Sequence, residues 1–285
     1  MFFSLVLATL GRSEEVDRLL TSLKAQTHRD FELIVVDQNP NGGLPSLLEP
    51  YQNCFSIKHI QRPQDRGLSR GRNVGLQYVK DAVVTCPDDD CWYPPWLLEQ
   101  VANYLEEYPD VDGVSGRTVA NPIESFQYFP ESNLSGRYLT SRLEVMRVPG
   151  MWALFLRSRS VESVGNFDET LGVGAGTTWG AAEDTDYYLR LLEAGFRLYA
   201  NPNLVVFHPT ASAHDVMHRD LDRSYRYGAG ATRVWKRHQL PFWYFAYQVG
   251  RSGAGTILSL LQGRRSKAHW HWGAFRGKLK GWFSE

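Results

Sequence analysis

Apolar positions in the first half of the chain follow two alternating rhythms. "FSLVLAT" (3–9) and "FELIVVDQ" (31–38) are dense apolar runs, the pattern of strands buried on both faces. Between them, "SEEVDRLLTSLKAQT" places Val16, Leu19, Leu20 and Leu23 on one helical face, with Ser13 as the expected N-cap. The run Asn-Pro-Asn-Gly-Gly stops the second strand. A short helix is expected around "PSLLEPY", a strand at "SIKHIQ", a helix across "LSRGRNVGLQYVKD" and a fourth strand at "AVVTC". "PPWLLEQVANYLEEYP" reads as a proline-started helix. Farther on, "MWALFLRS" predicts a strand, "EDTDYYLRLLEAG" a helix closed by Gly195, and "LYANPNLVVFHP" a strand ended by Pro209. The glycine-rich "GVGAGTTWGAA" has a composition common in loops that close over substrates. Strands alternating with helices predict an α/β fold whose mainly parallel sheet is covered by helices, with ligands at the carboxyl ends of strands. Thr9, Asp37 and Asp88 to Asp90 fall at those ends.

Composition changes this picture in one place. The 285 residues are 43% hydrophobic and 22% charged, as in ordinary globular proteins, and the 31 basic and 31 acidic residues cancel. No global field points to nucleic acid. The charge is nevertheless unevenly spread. After His218, thirteen Lys and Arg side chains stand against Asp220, Asp222 and Glu285 only, mixed with Trp235, Trp243, Trp270, Trp272 and Trp282. This split predicts one domain over residues 1–213 and a basic, aromatic helical extension over 214–285, which either lies on an anionic membrane surface or covers the core with its aromatic side chains. Cys54, Cys86 and Cys91 are odd in number and lack metal-ligand spacing, which argues for a reducing compartment and against a disulfide framework or zinc. "MFFSLVLATLGRSEE" has neither a basic n-region nor a cleavage site, so it reads as a first strand rather than a signal peptide. With no uncharged run long enough to span a bilayer, a spanning helix is not expected.

The candidate chemistry centres on "CPDDDCWYP" (86–94). Asp88, Asp89 and Asp90 repel one another and resist leaving water at the end of a core strand, so a divalent cation is the simplest missing partner. The segments "SLVLATLGR", "FELIVVDQN", "GLSRGRNVGL", "PDDDCWYPPWLL", "GNFDE" and "WGAAEDTDYYLRLLEAGFRLY", in this order, resemble a family 2 glycosyltransferase of the GT-A fold, over about residues 3 to 210. Each motif alone is weak; six in order are a strong signal.

That resemblance implies a Rossmann-like sheet and a metal-dependent, inverting transfer of sugar from a nucleoside-diphosphate sugar. UDP is the favoured carrier, and the acceptor is a saccharide or lipid-linked saccharide in surface polysaccharide synthesis. The resemblance also implies a cytoplasmic location, peripheral at the inner face of the cytoplasmic membrane. It implies Mn²⁺ or Mg²⁺ on the aspartates after the fourth strand. Aligning "CWYP" with the family's usual "IWLP" makes Asp89 the leading ligand beside Asp88 and Asp90, while the family's spaced D-x-D fits Asp88 and Asp90 equally well. His208 matches a position where some GT-A enzymes supply a last metal or diphosphate ligand. Asp37 and Thr9 match the base pocket, Asp88 the nucleotide, and Arg72 with Asn73 the family's "RN", where a guanidinium suits phosphate. Asp184 matches the general base, with Glu183 orienting the acceptor or exchanging roles with it. Gln38 and Asn39 depart from the usual "DDGS" and weaken any ribose contact. Rival classes are a non-catalytic nucleotide-sugar-binding or scaffold subunit and a nucleotide-sugar pyrophosphorylase. The latter needs a glycine- and basic-rich signature where "TLGRSEE" offers only Gly11 and Arg12. A dinucleotide dehydrogenase is excluded by the absence of G-x-G-x-x-G after any strand.

Overall fold

The computed structural model describes residues 1–40, 42–80, 82–120, 135–209 and 222–284. Contacts divide the chain into two units, one of Met1–Phe167 with Tyr187–Pro209, the other of Asp168–Asp186 with Thr210–Glu285. The expected boundary at 213 and 214 lies outside the described residues.

In the first unit, β1 (Phe3–Thr9), α1 (Glu14–Lys24), β2 (Phe31–Asp37), α2 (Leu44–Leu48), β3 (Ser56–Gln61), α3 (Leu68–Leu76), β4 (Val83–Thr85) and α4 (Leu97–Glu107) alternate as the hydrophobic pattern predicts. β5 (Gly113–Val119), β6 (Arg137–Tyr138), α5 (Arg142–Val145), β7 (Leu154–Arg157), α6 (Ser158–Val164), α7 (Glu183–Glu193) and β8 (Leu198–Phe207) follow. The first four residues of α7 group with the second unit. The eight described strands form one sheet in the order β3-β2-β1-β4-β7-β5-β8-β6. β1 is parallel to β2 and β4, β2 to β3, and β5 to β8, whereas β7 runs antiparallel between β4 and β5. Every residue of β1 and β2 is buried, which accounts for their unbroken apolar runs. Their register sets Thr9 opposite Asp37 at the carboxyl ends.

One face of the sheet packs against Leu19, Leu20 and Leu23 of α1 and Leu97, Leu98, Val101 and Leu105 of α4. On α3, Gly71 and Gly75 allow a close approach to β1. A Cβ on Gly71 would sit 2.6 Å from the Ala8 Cβ, and one on Gly75 would overlap the Val6 side chain. This approach carries Arg72, only 1% exposed, into the sheet's end.

Several local expectations are corrected. Ser13 stands at the N-cap of α1, but its side chain caps nothing. α3 ends at Leu76, because the chain turns at Tyr78 and Val79 to enter β4. Pro94 and Pro95 precede α4 in a turn, and their carbonyls accept from Gln26 and Thr27. Met151–Ala153 is a 3-10 turn, so the strand of "MWALFLRS" starts only at Leu154.

The second unit contains three long helices, α8 (Arg223–Arg237), α9 (Phe242–Leu261) and α10 (Arg265–Phe283). Gly273, Gly277 and Gly281, spaced by four on α10, meet α8. A Cβ on Gly277 would overlap the Tyr225 carbonyl, and one on Gly281 the Ala229 carbonyl. Small residues here let the backbones touch, and Thr232 Oγ1 donates across the seam to Lys278 O at 2.9 Å. α9 packs on α10 through Phe245, stacked 4.2 Å from Trp282, and through Lys278 Nζ, which donates to Gln248 O and Ser252 Oγ. The glycine-rich segment folds into hydrogen-bonded turns, with Gly172 N donating to Trp179 O and Arg233 lying over the Trp179 ring. Among the described residues, no helix is long and apolar enough to cross a membrane.

Candidate active site

The turn after β4 presents Asp88, Asp89 and Asp90, and it is tied to the end of β8 by an antiparallel bridge between Trp92 and Phe207, whose rings stack at 5.5 Å. This bridge brings the next residue, His208, to the aspartates. Its Nε2 lies 3.1 Å from Asp90 Oδ1 and 3.6 Å from Asp88 Oδ2. The ring is fixed by stacking on Trp152 at 4.7 Å, and its Nδ1 lies 2.9 Å from Pro209 O. Asp88, Asp90 and His208 are each half-buried, and their ligating atoms all lie within 4.8 Å of one another. Asp89 turns the other way. It accepts from Thr9 Oγ1 at 3.0 Å and pairs with Arg12 at 3.0 Å.

The aspartates are therefore not left without positive partners, contrary to the expectation that the sequence supplies none. Arg12 also reaches Asp90 at 2.5 Å, and Arg72 Nη2 donates to Asp88 Oδ1 at 2.8 Å. Burial alone would lower the His208 pKa, but hydrogen bonds to Asp88 and Asp90 outweigh it and push it to about 9. Burial would raise Asp90, yet His208 and Arg12 hold it well below the usual carboxylate range. For Asp89 burial wins over Arg12 and Thr9, and its pKa rises to about 6. Sequence reasoning passed over Arg12 as a partner of the triplet, and it missed Trp152 and Arg18, which lies over the Trp92 ring and donates to Asp90 O. No periodicity marks such residues.

The other nucleotide-pocket candidates gather nearby in the same unit. Asp37 is fully buried. One oxygen accepts from the backbone and side-chain nitrogens of Asn39 as an Asx turn, and the other lies 3.0 Å from His59 Nε2. Thr9 is buried against Asp89. Asn73, the second residue of "RN", clamps the Phe167 backbone with both ends of its amide, and the Arg72 guanidinium lies 5.3 Å from the Phe167 ring.

In the second unit, Glu183 and Asp184 open α7, Glu183 buried and Asp184 half-buried. Glu183 packs on Gly172, where φ is +96° and an added Cβ would sit 2.9 Å from the carboxyl carbon. Asp186 is 1% exposed and meets both Arg237 and His238 at 3.0 Å, while Arg237 also binds Asp168 at 2.8 Å. Asp186 is thus buried against Arg237 and His238, and the same Arg237 holds Asp168, the aspartate of "GNFDE". Burial would raise Asp168, but Thr170 and Arg237 lower it.

The model of glycosyl transferase family 2 matches residues 4–160. The pre-mycofactocin glycosyltransferase of Mycobacterium tuberculosis is 29% identical over 244 residues, covering 82% of this chain and 48% of its own. The chain spans less than two thirds of the length of the first curated relatives it matches. Among solved structures, Staphylococcus aureus TarS 1–349 superposes with a TM-score of 0.62 at 15% identity, covering 98% of this chain and 91% of that one. The mannosyltransferase PcManGT from Pyrobaculum calidifontis, in complex with GDP-Man and Mn²⁺, gives 0.61 at 17% identity over 99% and 87%. These likenesses identify the fold as GT-A. The family match covers more than half of the sequence, and the chain belongs to glycosyl transferase family 2.

Proposed function

We propose that this chain is a metal-dependent, inverting glycosyltransferase that moves a sugar from a UDP-sugar to a saccharide or lipid-linked saccharide of a surface polysaccharide. It would act at the inner face of the cytoplasmic membrane. The observation that carries the reading is the convergence of Asp88, Asp90 and His208 at the carboxyl ends of β4 and β8. Two carboxylates and an imidazole suit Mn²⁺, and Mg²⁺ less well because it favours oxygen donors. Solved structures of TarS include complexes with UDP and with UDP-GlcNAc, which supports UDP as carrier. The Mn²⁺ complex of PcManGT supports the metal.

In this reading Asp88, Asp90 and His208 would hold the cation, once His208 had given up the proton that the two carboxylates stabilise. Bound there, the cation would supply positive charge against the departing diphosphate. Arg12 is released from Asp90 to face phosphate oxygens, while Asp89 and Thr9 remain as a polar edge for the nucleotide. Arg72 holds Asp88 in place, and Asp37 shapes the base pocket through His59 and Asn39. Asp184 takes the proton from the acceptor hydroxyl as it attacks the anomeric carbon, and Glu183 orients that hydroxyl. With one base and no covalent intermediate, the anomeric configuration inverts.

The internal pairing of all three aspartates favours a second reading, a nucleotide-sugar-binding member that does not catalyse. One experiment separates the two. Turnover of UDP- and GDP-sugars with Mn²⁺ is measured for the wild type, for the wild type in EDTA, and for Asp90→Ala and His208→Ala. Turnover lost in EDTA and in both variants supports the catalytic reading. Full activity in EDTA overturns the metal, and donor binding without turnover across acceptors and free water selects the second reading.

A further inference from the structure

α9 leaves one face uncovered. Phe245, Ser252 and Ser259, spaced by seven, are its buried residues. Trp243, Tyr247, Ile257, Leu258 and Leu261 lie on the opposite side of the helical wheel, each more than half exposed, with Gly250 and Ala254 continuing the stripe. Most large apolar side chains exposed among the described residues lie on this one helix. A patch of that kind marks an interaction surface.

The charge around it indicates the occupant. From Arg223 to Ser284 the sequence has twelve Lys and Arg residues and no Asp or Glu. Arg251 on α9, Arg264 and Arg265 after it, and Lys267 on α10 are all exposed. A second copy docking face to face would oppose like charges, whereas an anionic lipid surface neutralises them. The ends of the stripe also differ in a way a bilayer interface accommodates. Trp243 and Tyr247 supply amphipathic rings suited to the headgroup level, and Ile257, Leu258 and Leu261 supply aliphatic bulk.

We propose that α9 lies in the plane of an anionic bilayer, with the Trp243-to-Leu261 face inserted and Arg251, Arg264, Arg265 and Lys267 on lipid phosphates. This inference rests on the membrane-surface location proposed above and narrows it to one element. Of the tryptophans that composition alone would assign to the membrane, Trp235 is buried within the helical unit and Trp282 is half-buried, stacked on Phe245.

The test uses the full chain in flotation with vesicles of phosphatidylcholine alone or mixed with phosphatidylglycerol. The wild type should float with the anionic vesicles only, less so as salt rises. Trp243→Gln/Leu258→Gln/Leu261→Gln should weaken binding about 100-fold or more while keeping the thermal midpoint, since these side chains pack on little of the protein. Arg264→Gln/Arg265→Gln should weaken it roughly 10- to 30-fold and flatten the salt dependence. If the wild type ignores anionic vesicles, the inference and the membrane location both fail. If the wild type floats and the triple variant floats equally well, α9 is the wrong element and the location stands. A dimer by light scattering that the triple variant dissociates, with no vesicle binding, assigns the face to a second copy and overturns the proposal. Donor turnover is read separately in solution, so failure of the glycosyl-transfer reading is distinguishable from each of these.

Discussion

Gly71→Ala is the sharpest test of how the fold positions the site. The new methyl would lie 2.6 Å from the Ala8 Cβ, about 1 Å inside the ordinary carbon contact distance. Neither methyl can rotate away, because each is fixed to its backbone, so α3 itself must lift from β1. Alanine gains about 1 kcal/mol of helix propensity over glycine. Both methyls are immobile, so forcing apart this helix and strand costs about 2–3 kcal/mol, the upper part of the overpacking range, and the net loss should be about 1–2 kcal/mol. Ala8→Gly alone should cost about 1–2 kcal/mol, through backbone entropy and one lost buried methyl. In the double variant the methyl has only moved from strand to helix. The remaining Gln38 amide, 3.1 Å from the new Cβ, needs a small shift, and stability should return near that of the wild type. The cycle thus predicts a coupling of about 2 kcal/mol or more in urea melts with unchanged slopes. Lifting α3 also draws Arg72 from Asp88, so UDP affinity should fall in the Gly71→Ala variant and recover in the double. Additivity within about 0.5 kcal/mol, or an unaltered UDP affinity in the single variant, refutes the close-approach argument.

Asp184→Asn should keep UDP binding while transfer falls by about 10² or more, as measured by initial rates with a working acceptor; a normal rate moves the base elsewhere. Gly277→Ala should destabilise the helical unit by about 2–4 kcal/mol through its overlap with the Tyr225 carbonyl, whereas Gly250→Ala, with nothing within 4 Å, should stabilise it by about 0.5–1 kcal/mol; equal melts for both would contradict the seam. Burial, then Arg251, lowers Lys278 from 10.5 to about 8. Between these values the unfolded chain holds a proton that the folded chain does not, so stability rises with pH through that window and is lost as pH falls through about 8. Lys278→Met should flatten the rise of the thermal midpoint between pH 8 and 10, and an unchanged rise counts against the assignment.

Legibility in the sequence followed the physics of each element. β1, β2 and α1 were readable because two-sided burial and a single apolar helical face leave unambiguous periods. β5 was not, since "GVSGRTV" breaks the apolar run; Gly113 is where the Leu156 and Leu198 side chains close in, so the strand's burial comes from its neighbours. Asp88 to Asp90 stood out locally, and the resemblance pointed to Arg72 and His208, but no local pattern paired Arg12 with them. Arg12, Arg72 and His208 reach them only through β1, α3 and β8, and their pairing is a property of sheet order. Asp37 was legible as a strand-end carboxylate, while its enclosure by His59 required the register of β2 with β3.

The place of β8 in the sheet bears on how the chain matures. Among the described strands, the last one made is internal, inserted between β5 and β6, and β6 pairs with it alone. A growing chain can pair β1, β2, β3 and β4 early, but β6 must wait for a strand some sixty residues later, a long-range closure of the sort that slows folding. Until then the aspartate turn lacks the Phe207 bridge and His208, and it faces its own repulsion with arginines alone. The cluster is therefore assembled by the final strand to arrive, and a truncated or stalled chain would carry the family's sequence motifs without a finished site.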